Sequence, residues 1–203
     1  MSRSNRPSTL RAAAIAAAAL ALGAATVRGR GRALDDRLFG RINGGRSSPA
    51  LDLGFRVVTE AGSLWASVGA ATGLAGRNRH RVAIDAFGAA CAMWALGQGL
   101  KRGFRRLRPY EAAGDHRLLI NRPRGASWPS SHPAVLATFV TVAGRDLDLP
   151  PNTRSALAAL VAAVALSRVY LGVHYPADVI GGLLLARALA DVWSAEVSPR
   201  VLG

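Results

Sequence analysis

The sequence predicts an all-α protein, a polytopic membrane helical bundle with about six transmembrane helices. Half of the 203 residues are hydrophobic (50%) and the mean hydropathy is +0.20, although the formal net charge is +14. The apolar residues form six separate runs, and the basic residues lie mainly between them, as in the loops of membrane proteins. Alanine and glycine dominate the runs, which favours helices that pack closely within lipid.

The six apolar runs justify the predicted helices one by one. They comprise residues 12–27, 62–76, 82–100, 133–143, 155–173 and 179–193. Several are shorter than the ~20 residues that a bilayer span needs, so we expect the helices to extend into flanking polar residues. A water-soluble helical bundle is the alternative, but six such runs leave little polar helix surface to meet water.

We expect one domain over residues 1–203, with an N-terminal helix and an interfacial segment in residues 1–61 and a core in residues 62–193. The first run follows a basic start, so it also fits a secretory signal peptide, although we favour a retained helix. Residues 28–61 are arginine-rich with scattered apolar side chains, as in a helix that lies along the membrane interface.

Three polar clusters stand at the ends of the apolar runs. Residues 101–109 follow the third run, residues 127–132 precede the fourth, and residues 167–178 join the fifth to the sixth. Counting the runs places all three clusters at the same membrane face, in either orientation of the chain. Charged groups at such a position are by default functional, so we predict an active site at that face.

The residue types in these clusters suit a phosphate anion. Lys101 is the only lysine among 26 basic residues, and Arg108 and Arg168 add two guanidinium groups. Ser130 offers a hydroxyl, and the backbone up to His132 opens a predicted helix whose N-terminal amides favour an anion.

Two histidines would divide the chemistry of phosphoryl transfer. One attacks phosphorus and the other protonates the leaving oxygen. His174 precedes Pro176, which suits the first turn of a helix, and Asp178 follows about one turn later. A carboxylate beside an imidazole fixes its tautomer and stabilises the charged ring. These considerations leave open whether His132 or His174 attacks.

The order and spacing of the clusters resemble the signature of the type 2 phosphatidic acid phosphatase (PAP2) superfamily, which reads Lys-x6-Arg-Pro, Pro-Ser-Gly-His and Ser-Arg-x5-His-x3-Asp. The first and third parts match in full, and the resemblance extends over residues 62–193. The second part reads Pro129-Ser130-Ser131-His132, so Ser131 replaces a glycine. Serine still supplies a backbone N–H, and we therefore expect Ser131 to be tolerated.

The resemblance implies a role for each matching residue. His174 would be the nucleophile that forms a phosphohistidine, Asp178 would orient it, and His132 would protonate the leaving alcohol and later activate water. The residues that would hold the phosphate oxygens are Lys101, Arg108, Ser130, Ser131 and Arg168. The resemblance implies a metal-independent phosphatase, and no cofactor is expected.

The predicted substrate is a phosphomonoester or pyrophosphate on a lipid: phosphatidate, phosphatidylglycerophosphate, a polyprenyl phosphate or diphosphate, or a polyprenyl-phosphosugar. The expected partners are this lipid and the bilayer. Nucleic acid is not expected, because basic nucleic-acid-binding proteins are seldom so rich in alanine, leucine, valine and glycine. We expect an integral protein of a bacterial inner (plasma) membrane with the site facing outside, although charge alone fixes neither the orientation nor the oligomeric state.

Two other functions fit parts of the sequence. A vanadium haloperoxidase-like enzyme would share the phosphate pocket, but six apolar runs argue against it. A non-catalytic lipid-phosphate-binding membrane protein would not need both histidines, Asp178 and three cations in their places.

Overall fold

A computed structural model describes residues 6–27, 29–45, 47–112 and 116–202 of the chain. Within these ranges the regular secondary structure is helical, with nine α-helices, one 3₁₀ turn at Pro109–Glu111 and no strand. The α-helices are α1 Arg6–Val27, α2 Arg32–Asn43, α3 Pro49–Glu60, α4 Leu64–Ala75, α5 His80–Phe104, α6 Ser131–Asp146, α7 Pro151–Tyr170, α8 Pro176–Glu196 and α9 Ser198–Leu202.

Each of the six apolar runs forms a helix, namely α1 and α4 to α8. Most of these helices extend beyond the run into polar residues, as α6 does from Ser131 to Asp146. The arginine-rich segment before α4 forms two helices, α2 and α3, where a single interfacial helix was expected. The chain leaves α2 through Gly44 and starts α3 at Pro49, with the Ser48 hydroxyl accepting a hydrogen bond from the backbone N–H of Leu51 at 3.2 Å. Proline and serine at these positions start a new helix.

In the described part of the chain, two helices are long and apolar enough to cross a membrane, Thr9–Val27 within α1 and Pro151–Tyr170, and α4 is a shorter apolar helix. The other long helices carry charges within their length. Lys101 lies in the last turn of α5, and Asp178 and Arg187 lie in α8. These charged side chains lower the hydropathy of helices that the apolar runs alone would define as spans.

Helix α6 lies at the centre of the bundle and packs against α4, α5, α7 and α8. Its contact with α5 is made by small residues, since Ala86, Ala89 and Ala90 are completely buried beside Val135 and Phe139 of α6. Small side chains let helix backbones approach closely where lipid provides no hydrophobic drive.

Helix α1 packs along α8 and is an integral part of the bundle. Ala12 and Ala19 are buried, and Arg11 donates to Asp191 of α8 at 2.8 Å.

The buried ring of Trp128 fixes the loop before α6 against two helices. A Cβ at Gly23 of α1 would lie 2.8 Å from this ring, and a Cβ at Gly181 of α8 would lie 2.6 Å from its Nε1. Phe104 at the end of α5 packs against the same ring at a tilt of 41°, with ring centroids 4.0 Å apart. Glycine at positions 23 and 181 thus lets the indole contact both helix backbones, and the loop is held in place for the residues that follow it.

Candidate active site

His174 lies in the turn between α7 and α8 and is 2% exposed. Its Nδ1 lies 3.5 Å from Oδ2 of Asp178, and its Nε2 lies 3.3 Å from Nη1 of Arg108. A guanidinium group can only donate, so the contact with Arg108 requires Nε2 to be the unprotonated nitrogen. The ring proton then lies on Nδ1, next to the carboxylate, and the lone pair of Nε2 points toward a cation.

The surroundings of His174 keep its imidazole neutral. Burial lowers its pKa well below the ordinary value near 6.5, and nearby Arg108, Lys101, Arg168 and His132 lower it further. A neutral imidazole retains the lone pair that a nucleophile needs.

Asp178 is completely buried in the first turn of α8 and accepts hydrogen bonds on both oxygens. Its Oδ2 accepts from the backbone N–H of Tyr175 at 2.9 Å and from the hydroxyl of Ser127. Its Oδ1 accepts from Nη1 of Arg106 at 2.7 Å. The carboxylate is therefore held on three sides, with Oδ2 also facing the ring of His174.

Arg106 joins the site to the N-terminal part of the chain. While Nη1 contacts Asp178, Nη2 donates to Asp35 of α2 at 2.6 Å, and the guanidinium lies 4.2 Å from the ring centre of Tyr175. Burial alone would lower the pKa of Arg106, but the carboxylates of Asp178 and Asp35 raise it above its ordinary value. Asp35 also accepts from the backbone N–H of Ala177 at 2.9 Å and so holds the start of α8.

Arg108 is held rigidly by backbone carbonyls. Its Nε donates to Gly125 at 2.8 Å, and its Nη1 donates to Val173 at 2.9 Å. The guanidinium is therefore oriented before any substrate arrives, and Nη1 lies at the reactive nitrogen of His174.

Arg168 ends α7 on the other side of the site. It is 3% exposed, and its Nη1 donates to the hydroxyl of Thr59 in α3 at 2.8 Å. Among the described residues, Arg168 Nε and the hydroxyls of Ser130 and Ser131 are buried without a hydrogen-bond partner. Buried polar atoms in proteins are normally paired, so three unpaired atoms among the predicted phosphate ligands fit an anion with several oxygens.

Ser131, the departure from the family signature, lies at the start of α6 against Gly97 of α5. A Cβ at position 97 would lie 3.3 Å from the Ser131 hydroxyl oxygen, so the glycine leaves room for the serine. Lys101 follows Gly97 by one turn on the same face of α5. Ser130 donates its backbone N–H to the carbonyl of Asp178 at 2.9 Å, which ties the start of α6 to α8.

His132 lies in the first turn of α6 and lines a cavity of about 740 Å³ together with Arg168. Arg56 and Glu60 of α3 and Arg122 of the loop before α6 line the same cavity. The cavity connects the phosphate ligands to the surface through polar and basic side chains, as an entrance for a charged headgroup would require.

All eight residues predicted for the site therefore lie at one end of the bundle. His174, Asp178 and Arg108 are in direct contact, and Lys101, Arg168 and His132 lie near enough to His174 to lower its pKa. Sequence reasoning missed Arg106, Ser127, Asp35 and Thr59. Arg106 and Ser127 lie inside the motif-bearing clusters, whereas nothing in the sequence marks Asp35 or Thr59. Among the described residues, those of the site included, no three His, Cys, Asp or Glu side chains group as a metal site.

The sequence profile of the PAP2 superfamily matches residues 82–200, which is more than half of the chain. The chain therefore belongs to the PAP2 superfamily, and the resemblance inferred from the three clusters is confirmed.

Individual proteins of this superfamily are similar to the chain in sequence and in structure. Decaprenylphosphoryl-5-phosphoribose phosphatase of Mycobacterium tuberculosis is 32% identical over 117 residues, which cover 56% of this chain and 60% of that protein. Undecaprenyl-diphosphatase of Sulfolobus acidocaldarius is 36% identical over 91 residues, covering 44% and 43% of the two chains. The chain thus spans less than two thirds of the length of these relatives.

A solved structure supports the fold over most of the chain. The transmembrane PAP2 type phosphatidylglycerolphosphate phosphatase of Bacillus subtilis superposes with a TM-score of 0.76 at 22% identity. The superposition covers 90% of this chain and 94% of that protein. The all-helical arrangement is therefore the arrangement of a PAP2-type membrane phosphatase.

Proposed function

We propose that this protein is an integral-membrane lipid phosphatase that works through a phosphohistidine at His174. The observation that carries the proposal is that the two ring nitrogens of the buried His174 imidazole contact groups of opposite charge. Nδ1 faces the carboxylate of Asp178, and Nε2 faces the guanidinium of Arg108, within reach of Lys101 and Arg168. A phosphate bound by these cations would meet the lone pair of Nε2.

In the first step, Nε2 of His174 attacks phosphorus and the bond from phosphorus to the leaving oxygen breaks. His132 donates a proton to that oxygen, so the lipid leaves as an alcohol or as a shorter phosphate. The three cations stabilise the charge on the phosphoryl oxygens, and Asp178 stabilises the positive ring through the Nδ1 proton.

In the second step, His132 takes a proton from water, and the resulting hydroxide attacks phosphorus. The bond from phosphorus to Nε2 breaks, and inorganic phosphate leaves while His174 returns to its neutral form. The proton that His132 takes from water in the second step replaces the one that it gave to the leaving oxygen in the first. The proposed cycle therefore uses neither a metal nor a cofactor.

The substrate we propose is a polyprenyl-linked phosphate or diphosphate. Two relatives are named for such lipids, a decaprenylphosphoryl-5-phosphoribose and an undecaprenyl diphosphate. The entrance cavity of about 740 Å³, with Arg56 and Arg122 beyond the phosphate ligands, fits a headgroup that carries a second anionic group. Phosphatidate, with one terminal phosphate and no further headgroup, uses less of this cavity.

We further propose that α1 and α4 to α8 are six membrane spans, with the site at the outer face of a bacterial plasma membrane. The apolar runs and the membrane-protein fold support the spans. A cysteine introduced at the exposed Asn121, with the single native Cys91 changed to alanine, tests the orientation. A membrane-impermeant thiol reagent should label it in intact cells, and labelling only after permeabilisation would place the site inside.

The activity is tested by phosphate release from purified protein in detergent with a metal chelator present. The panel contains polyprenyl diphosphate, polyprenyl monophosphate, phosphatidylglycerophosphate and phosphatidate at equal concentrations. We expect release without added metal, fastest with a polyprenyl substrate, and loss of release in His174→Gln. His80→Gln, which changes an exposed histidine away from the site, serves as the matched control.

Four outcomes would contradict parts of this proposal. Equal release by His174→Gln or a strict need for a divalent metal would exclude the histidine mechanism. Oxidation of halide by the vanadate-loaded protein, without phosphate release, would identify a haloperoxidase instead. Rapid quenching at alkaline pH with a ³²P-labelled substrate should trap labelled wild-type protein, and absence of the label in active enzyme would exclude the covalent intermediate.

A further inference from the structure

A second basic groove lies at the end of the bundle opposite His174. It runs between α6 and α7, has a volume of about 430 Å³, and is lined at its polar end by Arg145, Arg154 and Arg187. The remaining lining is mostly aliphatic: Ala137, Val140, Leu157, Ala158 and Val161. Since α6 starts at the active site and ends at Asp146, the arginines lie near the other membrane face.

The charges of this groove are not balanced within the described part of the protein. Asp191 accepts from Arg11 at 2.8 Å, from Arg145 at 2.6 Å and from Nε of Arg187 at 3.0 Å, so one carboxylate serves three guanidinium groups. Arg154 adds a fourth guanidinium group, and it pairs with Asp148 at 3.2 Å, so four guanidinium groups meet two carboxylates. The excess positive charge, at a surface that the proposed membrane spans would expose to lipid, favours an anion.

Two of these arginines keep donors for a ligand. Arg187 contacts Asp191 through Nε. Its two terminal amino groups have no hydrogen-bond acceptor among the described residues. Arg154 donates from Nη2 alone, to the completely exposed Asp148 at 3.2 Å and to the carbonyl of Gly144 at 3.4 Å. Both side chains are half exposed, so a phosphate group can reach them.

A neighbouring apolar groove runs beside the first. It has a volume of about 390 Å³, lies between α4, α6 and α7, and shares Val140 and Leu157 with the basic groove. Most of its lining is aliphatic or aromatic, and Arg77 stands at its outer end. Two adjacent grooves with largely apolar walls, one of which contains Arg154 and Arg187, provide room for two acyl chains joined to one headgroup.

We propose that this pair of grooves binds an anionic phospholipid with two acyl chains, such as phosphatidylglycerol. The headgroup phosphate lies at Arg154 and Arg187, and the chains follow the two grooves on either side of Leu157. Basic pockets between membrane helices bind anionic headgroups in this manner. A zwitterionic lipid leaves the excess positive charge unpaired, and a single polyprenyl chain fills one groove. The site is separate from the proposed catalytic site and does not depend on its activity.

Native mass spectrometry of the protein from mixed micelles with equal phosphatidylglycerol and phosphatidylcholine tests the proposal. We expect the wild type to retain one phosphatidylglycerol in preference to phosphatidylcholine. Arg154→Gln should weaken this binding about fivefold, because one basic residue near a lipid surface contributes roughly that factor. Arg154 has weak protein contacts, so this variant should fold, and Arg154→Gln/Arg187→Gln should weaken binding further.

Two control variants distinguish binding in the grooves from a general effect of charge and from binding at the candidate active site. Arg79→Gln removes an equal charge from an exposed position near the same end of the bundle and should bind as the wild type does. Lys101→Gln changes the candidate active site and should also leave phosphatidylglycerol binding unchanged. Unchanged binding in Arg154→Gln, equal retention of phosphatidylcholine, or loss of binding in Lys101→Gln would overturn the proposal.

Discussion

Arg106 donates to Asp178 over 2.7 Å, and through that contact an arginine that the family signature does not specify positions the carboxylate that faces His174. The second amino group of Arg106 is held by Asp35 at 2.6 Å, so the guanidinium cannot turn away without breaking a buried ion pair. Arg106 does not contact the proposed phosphate ligands. It is a positioning residue, acting on the imidazole through Asp178.

Changing Arg106 to glutamine should therefore impair both stability and turnover. Removal of one partner leaves the buried carboxylates of Asp178 and Asp35 uncompensated, which typically costs about 3 kcal/mol or more. We expect a lower unfolding temperature in detergent and a lower kcat with a smaller change in KM.

Arg106→Lys keeps the charge and should recover part of the kcat that Arg106→Gln loses. If Arg106 had a purely structural role, Arg106→Lys would restore stability, and kcat per folded molecule would be the same in both variants. Arg102→Gln, at an exposed position in the last turn of α5, is the matched control. Wild-type kcat in folded Arg106→Gln would show that Asp178 needs no positioning partner.

Replacing Lys101 by arginine should lower turnover even though the charge is kept. Lys101 lies half-buried in the last turn of α5 beside the start of α6, where a compact ammonium fits and a planar guanidinium must displace its neighbours. We expect a loss of at least roughly tenfold in kcat/KM, since misplacement of a substrate by about 1 Å has such effects. Phosphate-release kinetics measure this, with the exposed neighbour variant Arg102→Lys retaining activity. Full activity in Lys101→Arg would leave the lone lysine without a functional explanation.

The contact between Ser131 and Gly97 predicts a double-mutant result. Ser131→Gly should lower activity by about threefold, because it removes one hydroxyl of the proposed phosphate site but keeps the backbone N–H. Gly97→Ala places a Cβ 3.3 Å from that hydroxyl oxygen and should lower activity several-fold by displacing the start of α6. Combining the two changes removes the collision, and activity should return to the level of Ser131→Gly. An additive loss in the double variant would mean that Gly97 acts through some other contact.

The lowered pKa of His174 predicts how stability depends on pH. The unfolded chain takes up a proton near pH 6.5, whereas the folded chain resists that proton until a lower pH. The stabilising contribution of the neutral histidine is therefore complete above pH 6.5 and is lost as the pH falls toward the folded-state pKa. As the pH falls from 7.5 to 5, the unfolding temperature of the wild type should therefore fall more than that of His174→Gln. A constant difference over this range would contradict the lowered pKa.

The sequence predicted the helical class, the position of each long helix and the placement of the eight candidate site residues at one end of the bundle. These features are local, since apolar runs define helices and motif spacing defines which side chains meet at helix ends. The Arg187–Asp191 pair, four residues apart on α8, was predictable for the same reason and is present at 3.0 Å.

The partners of the site were not predictable, because they come from distant parts of the chain. Asp35 lies 71 residues before Arg106, and Thr59 lies 109 residues before Arg168. An aspartate and a threonine in short amphipathic helices carry no pattern that separates them from solvent-facing residues. Only the packing of α2 and α3 against α7 and α8 reveals that they hold the cations of the site.

The contacts of Asp35 and Thr59 set a limit on exchanging parts between related proteins. The predicted boundary at residue 61 separates all eight candidate site residues from the two side chains that hold Arg106 and Arg168. A chimera that joins residues 62–203 to the N-terminal portion of another superfamily member would carry every motif residue yet lose these two supports. We therefore expect residues 62–203 to need the N-terminal portion of this chain, because Asp35 and Thr59 hold two of the guanidinium groups at the site.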